Sequence, residues 1–549
     1  MTHDSRLKSL ETFESFFPSK YTPNASQKHI LSELNKAVIQ QGKKYIILNA
    51  PTGTGKSLIA KTLANWSSDP REEYVAFVDD NSIYNHETYD EKDRFGCAVL
   101  TISKQLQEQY AKLFKDGCKL MGKGNYPCSL NEELTCDTGV CFFSKQQTKK
   151  CMKGGDCPYY SKRNEAAINK CAFYNYSLFH GLPEPIKLKD VLVCDEASEL
   201  EDELVGIYTF TFNIEEFKKL DLPYPPTPRE GSSDGIHYAW LQKIKALVLD
   251  EIAILSDEIK TKMKRKKVKR ISKPEKYRMT TLLKLKESLE KVLTVWNSAE
   301  FCITHTKEGI TFQPTEVHGL THSFFDFANV VILMSATIVD HEEFARTLGI
   351  DDYYYIEAIS TFDPKKAPIR FAANYKINYQ NKDKVLPEIA QVVKAIAENH
   401  KDQKGIIHTH SMDILEYIRA AMPEDRFLYR CEGSTNENIL EYHKGTNEPT
   451  VLVSPSMTHG VDLIGKLGEF QVIMKAPFLP LGDARIKKKF EKDREWYTNK
   501  MLSTLIQMCG RCNRNERDES VTYIMDATIL GFVKRNMHKL PKYFSDRFV

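Results

Sequence analysis

Short apolar runs, each closed by a small or acidic polar loop, recur along the chain and predict its architecture. "YIILNAPTGTGKS" carries Tyr45 to Leu48 into a Gly-rich turn and then into an amphipathic helix beginning near Lys56. Apolar stretches at 97–102, 191–195 and 330–335 repeat the first half of that figure, and others lie near 405, 450, 470 and 521. Such runs, bounded by turn residues, read as strands buried on both faces, the habit of parallel sheets. They predict two doubly wound α/β domains. Two stretches break the pattern. Residues 114–171 are polar and rich in cysteine; residues 200–319 open with the loop-like "LPYPPTPREGSSDG" and turn strongly helical from His237 to Trp296. The expected division gives 1–113, 172–199 and 320–345 to the first domain, 114–171 and 200–319 to its insertions, and 346–549 to the second domain. No short-period internal repeat is present.

Composition narrows this picture only a little. A chain of 549 residues suits three to four domains. Its 41% hydrophobic and 28% charged content is that of a soluble globular protein. No run approaches the roughly 20 apolar residues of a membrane span, so no membrane partner is expected. "MTHDSRLKSLETFESFF" lacks the apolar core of a secretory signal, which points to the cytoplasm. In that reducing compartment the thirteen cysteines stay as thiols, and clustered thiols suggest metal ligands rather than disulfides. The net charge of +3 selects no partner. The densest basic run is Lys262 to Lys273, with a weaker one at Arg485 to Arg494. Each is either a solvated face or a patch that tracks nucleic-acid phosphates and loses affinity steeply with salt.

The first run carries nucleotide chemistry. Thr52, Gly53, Thr54 and Gly55 form a loop whose backbone N–H groups can close around ATP phosphates, with Lys56 reaching the β- and γ-phosphates. Ser57 can ligate Mg²⁺. Ala50 stands where the general P-loop pattern has its first glycine. "VLVCDEAS" ends a buried strand in Asp195 and Glu196, which face the ligand crevice if the sheet is parallel. Asp195 would hold the Mg²⁺ shell and Glu196 would activate water. In "LIQMCGRCNRNERD", Gln507, Arg511 and Arg514 at spacings of four and three are expected on one helical face. Such arginines can reach a γ-phosphate across a domain cleft.

The ordered set "YTPNASQ", "APTGTGKS", "DEAS", "MSAT", "GVD" and "QMCGRCNR" resembles a superfamily 2 helicase over roughly residues 20 to 530. The cysteine insert narrows the likeness to the iron–sulfur group typified by XPD and DinG. "KGNYPC", "CPYY" and "IIHTHS" lean toward compact, phage-type DinG-like members. The resemblance implies two RecA-like motor domains, the first interrupted by an iron–sulfur domain and a helical Arch. It implies that Gln27 reads the adenine edge, that Ser335 and Thr337 couple the motor domains, and that Gly460 and Asp462 link ATP to DNA. It further implies a monomer moving 5′→3′ on single-stranded DNA and splitting forked duplex. One departure is Ser198, where the family usually has His, which puts the coupling of hydrolysis to motion in question. Two other functions fit part of the pattern: a DNA-stimulated ATPase that remodels protein–DNA complexes without unwinding, and a non-motor redox sensor that binds nucleic acid.

Five cysteines fall within the thirty residues 128–157, between the P-loop and the acidic motif: Cys128, Cys136, Cys141, Cys151 and Cys157. Their spacing is neither that of a zinc ribbon nor of a short ferredoxin run, so spacing alone leaves zinc and iron–sulfur equal. The resemblance favours a [4Fe–4S] cluster on Cys128, Cys136, Cys151 and Cys157, with Cys141 as the alternative to Cys136. Metal would then supply folding energy to a segment poor in apolar residues.

Overall fold

The computed structural model describes residues 12–70, 94–139, 141, 148, 150–152, 156–223, 235–266, 272–378, 380–430, 435–455, 463–513 and 517–549. Seven parallel strands make the first sheet. Their spatial order is Tyr353–Glu357, Tyr45–Asn49, Ala328–Ser335, Lys189–Asp195, Cys97–Thr101, Cys171–Asn175 and Cys118–Lys119. Helices cover both faces of the central strands, which is why these read as continuous apolar runs and not as alternating ones. Leu48 is level with Met334, and Met334 with Asp195. The loops that follow these strands therefore leave from one edge, the carboxyl ends where open α/β sheets bind ligands.

A second sheet of six parallel strands runs Ile369–Tyr375, Val521–Asp526, Phe470–Ile473, Gly405–His408, Val451–Ser454 and Phe427–Tyr429. The molecule is thus built on two parallel α/β sheets, as the apolar runs predict. The second insertion combines the helices Gly235–Lys266 and Lys273–Thr294, packed on each other, with an antiparallel sheet of Phe210–Asn213, Gly309–Pro314 and Phe301–His305. Phe217, Trp240 and Phe312 stack where the helices meet that sheet. Among the described residues no helix is long and apolar enough to cross a membrane.

Two expected boundaries shift. The strand Tyr353–Glu357 pairs with Tyr45–Asn49, so the first sheet continues past residue 345. It is an edge strand whose three tyrosines are only half-buried, and it offers no apolar run to read. The stretch 114–171 likewise gives Cys118–Lys119 to the same sheet, beside Cys171–Asn175. Nor does this insertion lack a core. Cys136, Met152, Cys157, Tyr159 and Tyr160 are buried in the cluster that also holds Leu100 and Tyr174.

Candidate active site

The Gly-rich turn needs its glycines for backbone reasons. Gly53 and Gly55 take φ values of +85° and +80°, the left-handed region that side chains resist. A Cβ on Gly55 would also collide with the carboxamide of Gln27. The helix Lys56–Trp66 starts directly after the turn and points its N-terminus at the space above it. Lys56 Nζ donates to Ala50 O at 3.1 Å, folded back over its own loop. Gln27 is nearly fully buried. Its Oε1 accepts from Asn24 N at 3.0 Å while its Nε2 donates to Thr54 O at 3.1 Å. In this structure Gln27 braces the phosphate loop, and it is not among the residues that line the cavity described below.

Asp195 and Glu196 sit where the strand Lys189–Asp195 ends. Asp195 Oδ1 accepts from Glu196 N at 3.0 Å, and Oδ2 accepts from the buried Tyr110 hydroxyl at 2.9 Å. The Tyr176 hydroxyl donates to the Asp195 carbonyl at 3.0 Å. Burial, with the neighbouring Glu196 carboxylate, pushes Asp195 up to about 6 against the opposing pull of Lys56 and Tyr110. Glu196 itself holds φ +51°, which costs a non-glycine residue on the order of 1–3 kcal/mol and points to a functional constraint. Neither tyrosine carries a sequence signal.

A chain of hydroxyls crosses from this strand end to the second sheet. Ser198 Oγ lies 2.9 Å from Ser335 Oγ and accepts from Thr337 Oγ1 at 3.0 Å. Gln507 Nε2 donates to Thr337 Oγ1 at 3.3 Å and to Glu199 Oε1 at 2.8 Å. Ser198, where the family usually has histidine, therefore joins the contact network by its hydroxyl. The helix bearing Gln507 ends at Cys509. Gly510 caps it, so Arg511 lies beyond the helix and does not continue its face as the spacing predicts. Arg511 is buried, and the neighbouring Tyr543 hydroxyl donates to Ala336 O at 3.1 Å. Thr52, Gly53, Gly55, Lys56, Ser57, Asp195, Glu196 and Thr337 line one cavity of about 630 Å³ with Gln507, Arg511 and Arg547. Arg514, Gly460 and Asp462 fall outside the described residues.

Behind the cavity, the two halves are joined by a buried charge. Glu201, on the helix Leu200–Ile207, accepts from Arg485 Nη2 at 3.0 Å, from Lys489 Nζ, and from Trp496 Nε1 at 2.7 Å. Lys488 and Lys492 pair with Glu300 at the base of the second insertion. Arg485, Lys488, Lys489 and Lys492 of the basic run 485–494 are thus paired with carboxylates within the fold. The sequence hides Glu201 because "DEASELEDEL" reads as a solvated acidic helix. Burial alone would raise its carboxyl, but Lys489, Lys500 and Arg485 outweigh burial and hold it at about 2. Its contribution is therefore complete above the unfolded glutamate value of about 4.3 and is lost as pH falls through about 2. Glu201→Ala should cost about 3–5 kcal/mol by stranding Arg485 and Lys489, seen as an early unfolding transition in denaturant. A loss under about 1 kcal/mol, the range of exposed pairs, would show that the pairs are solvated.

In the cysteine-rich insertion, Cys128, Cys136 and Cys157 are buried while Cys141 and Cys151 are half-buried. Cys136 Sγ stands 3.8 Å from Cys157 Sγ and donates to Pro127 O at 3.3 Å. Burial, then the Cys157 thiol, pushes Cys136 up to about 12. Burial raises Cys141 as well, and its thiol neighbours are Cys151, Cys157 and Cys128. Among the described residues no three such side chains are gathered closely enough to hold a metal ion. Thiols are the donor chemistry that a thiophilic centre takes.

Comparison with known proteins agrees with this geometry. Residues 20–219 match the family described as type III restriction enzyme, res subunit, and residues 393–547 match the helicase C-terminal domain. A probable ATP-dependent helicase of Methanocaldococcus jannaschii is 22% identical, the match covering 95% of this chain and 94% of the relative. A solved XPD helicase superposes with a TM-score of 0.57 at 15% identity, over 97% of this chain and 98% of its own. S. tokodaii Xpd4 superposes with a TM-score of 0.53 at 14% identity, over 94% and 98%. The structural likenesses carry the fold; the family matches and the archaeal relative carry the activity. These matches mark the chain as an ATP-dependent helicase whose fold is similar to that of the solved XPD helicases.

Proposed function

We propose that this helicase acts on DNA, moving 5′→3′ along a single strand as a cytoplasmic monomer and opening forked duplexes. The observation that carries the reading is the shared cavity, with Lys56, Ser57, Asp195 and Glu196 from the first α/β domain and Gln507 and Arg511 from the second. Lys56 and the loop amides bind the ATP phosphates. Ser57 and Asp195 would hold Mg²⁺, which when bound neutralises charge on the β- and γ-phosphate oxygens. Glu196 takes the proton of the attacking water, and Arg511 meets charge that develops on the γ-phosphate. Gln507 and Thr337 relay closure of the cleft to the rest of the chain, together with Arg514, Gly460 and Asp462.

The two insertions are assigned to the DNA path by resemblance, the first as a cluster domain and the second as an Arch. Cys128, Cys136, Cys151 and Cys157 would hold a [4Fe–4S] cluster, with Cys141 as the alternative to Cys136. Bound there, the cluster would cross-link the insertion. Anaerobic protein should be brown, with about four irons per chain. Ser at Cys157 should bleach it, and a comparison of Cys136→Ser with Cys141→Ser should identify the fourth ligand. The same brown preparation should displace a strand from a 5′-tailed duplex and leave a 3′-tailed one intact. ATP hydrolysis stimulated by DNA without displacement would favour the remodelling ATPase. Zinc without iron would replace the cluster by a structural zinc site.

A further inference from the structure

Tyr110 is buried at 2% exposure on the helix Lys104–Leu113, and its ring packs on Phe173 and Phe114 at centroid distances of 5.6 and 6.1 Å. A tyrosine in such a site needs a partner for its hydroxyl, and here the partner is Asp195 Oδ2. Ser57, the other side chain assigned to Mg²⁺, neighbours the same hydroxyl. One phenol thus bonds one of the two groups that would hold the ion and lies near the other. Its helix is also rooted in the base of the cysteine-rich insertion. The buried Gln107, one turn earlier, donates to Leu120 O at 2.6 Å on the way in and to Phe173 O at 2.7 Å on the way out. Tyr176, at the other end of that base, fixes the Asp195 carbonyl.

We propose that Tyr110 is a positioning residue for the Mg²⁺ carboxylate, aiming Asp195 from a helix fastened to both ends of the cysteine-rich insertion. A carboxylate on a metal is itself oriented by hydrogen bonds, and removing such a partner typically weakens metal binding about 10- to 100-fold. The phenol leaves Oδ1, on the backbone N–H of Glu196, and Oδ2 fixed in one plane. Without it the carboxylate turns about its own bond, and the ion meets a disordered ligand. Lys56 and the loop amides do not touch Tyr110, so nucleotide binding without metal is untouched.

The inference rests on the Mg²⁺ site proposed above, and the test separates the two. Mn²⁺ binding to the ADP complex is titrated by electron paramagnetic resonance for the wild type, Tyr110→Phe, Phe173→Leu and Asp195→Asn. Tyr110→Phe should weaken Mn²⁺ binding about 10-fold or more and raise the Mg²⁺ concentration for half-maximal hydrolysis to match, with metal-free ADP affinity unchanged. Phe173→Leu disturbs the packing around the ring but keeps the hydroxyl, and should bind Mn²⁺ as the wild type does. Wild-type Mn²⁺ affinity in folded Tyr110→Phe would overturn the proposal while leaving the Mg²⁺ site standing. An equal loss in Phe173→Leu would assign the effect to packing and overturn it too. Undiminished Mn²⁺ binding in Asp195→Asn would overturn the metal site, and the role of Tyr110 with it.

Discussion

Glu196→Gln should lower ATP turnover by about 10²- to 10⁴-fold, the usual contribution of a general base, and leave ATP binding intact. The side chain stands on a strand end in left-handed backbone, held by a hydrogen bond from its own N–H to Asp195. Gln fits that backbone as well as Glu does, so the substitution removes a base without moving it. It also removes the negative charge that, after burial, contributes to raising Asp195. Asp195 should therefore ionise more readily in the variant, and metal binding should not weaken. Single-turnover hydrolysis, set beside binding of a non-hydrolysable analogue, separates the two effects. A fall of only a few-fold would move the base elsewhere in the cavity. Glu203 would be the next candidate, since burial, then Glu199 and Asp202, hold it up at about 7.

The parts of this site that the sequence reveals are those where one local rule governs several neighbouring residues. A phosphate loop needs positive φ at Gly53 and Gly55 and a helix start at Lys56, and all three are adjacent in the chain. The central strands are legible for the same reason, because burial on both faces makes them uniformly apolar. Edge strands such as Tyr353–Glu357 and Phe427–Tyr429 lack that imprint and escape notice. So does the antiparallel sheet of the second insertion, whose strand Phe210–Asn213 alternates over only four residues. Contacts that join distant segments leave no local mark at all. Glu201 meets Arg485 across 284 residues, and Tyr110 meets Asp195 across 85. In each case the residue type is ordinary for its surroundings, and only the fold supplies the partner.

Ser198 shows the converse, a departure visible in sequence whose consequence the fold decides. A histidine there would reach its neighbours with a long ring. The serine instead depends on Ser335 and Thr337 approaching within about one hydrogen bond of it, which the register of the two strands allows. The backbone carbonyl of the same residue accepts from Lys500 at 3.3 Å, and Gln507 continues the path. The helix Arg494–Cys509 is therefore held to the acidic motif along its length. The route is a short run of hydrogen bonds, and it places the end of that helix against the cavity.

Arg511 stands at that end, and Arg511→Ala should lower the hydrolysis rate by about 10³-fold or more if its guanidinium meets charge on the transferring phosphoryl group. Its backbone is fixed by contacts that do not use its side chain. Its N–H donates to Met508 O at 3.2 Å, and its carbonyl accepts from Leu463 N at 3.3 Å. Arg547 holds the Cys509 and Ala367 carbonyls from the other side. None of these contacts uses the Arg511 side chain, so they survive its truncation. The buried His408 lies close by; burial, then Arg511 itself, pushes it down to about 3, so it is neutral near pH 7 and adds no competing charge. The variant should accordingly keep its melting temperature and its ATP affinity, because the contact forms fully only as charge shifts in the transition state. Arg511→Lys separates charge from shape. An ammonium keeps the charge but not the planar fork that matches phosphate oxygens, so most of the loss should persist. A rate within a few-fold of the wild type for Arg511→Ala, with the protein folded and ATP bound, would place the stabilising cation elsewhere, with Arg547 as the nearest alternative lining the same cavity.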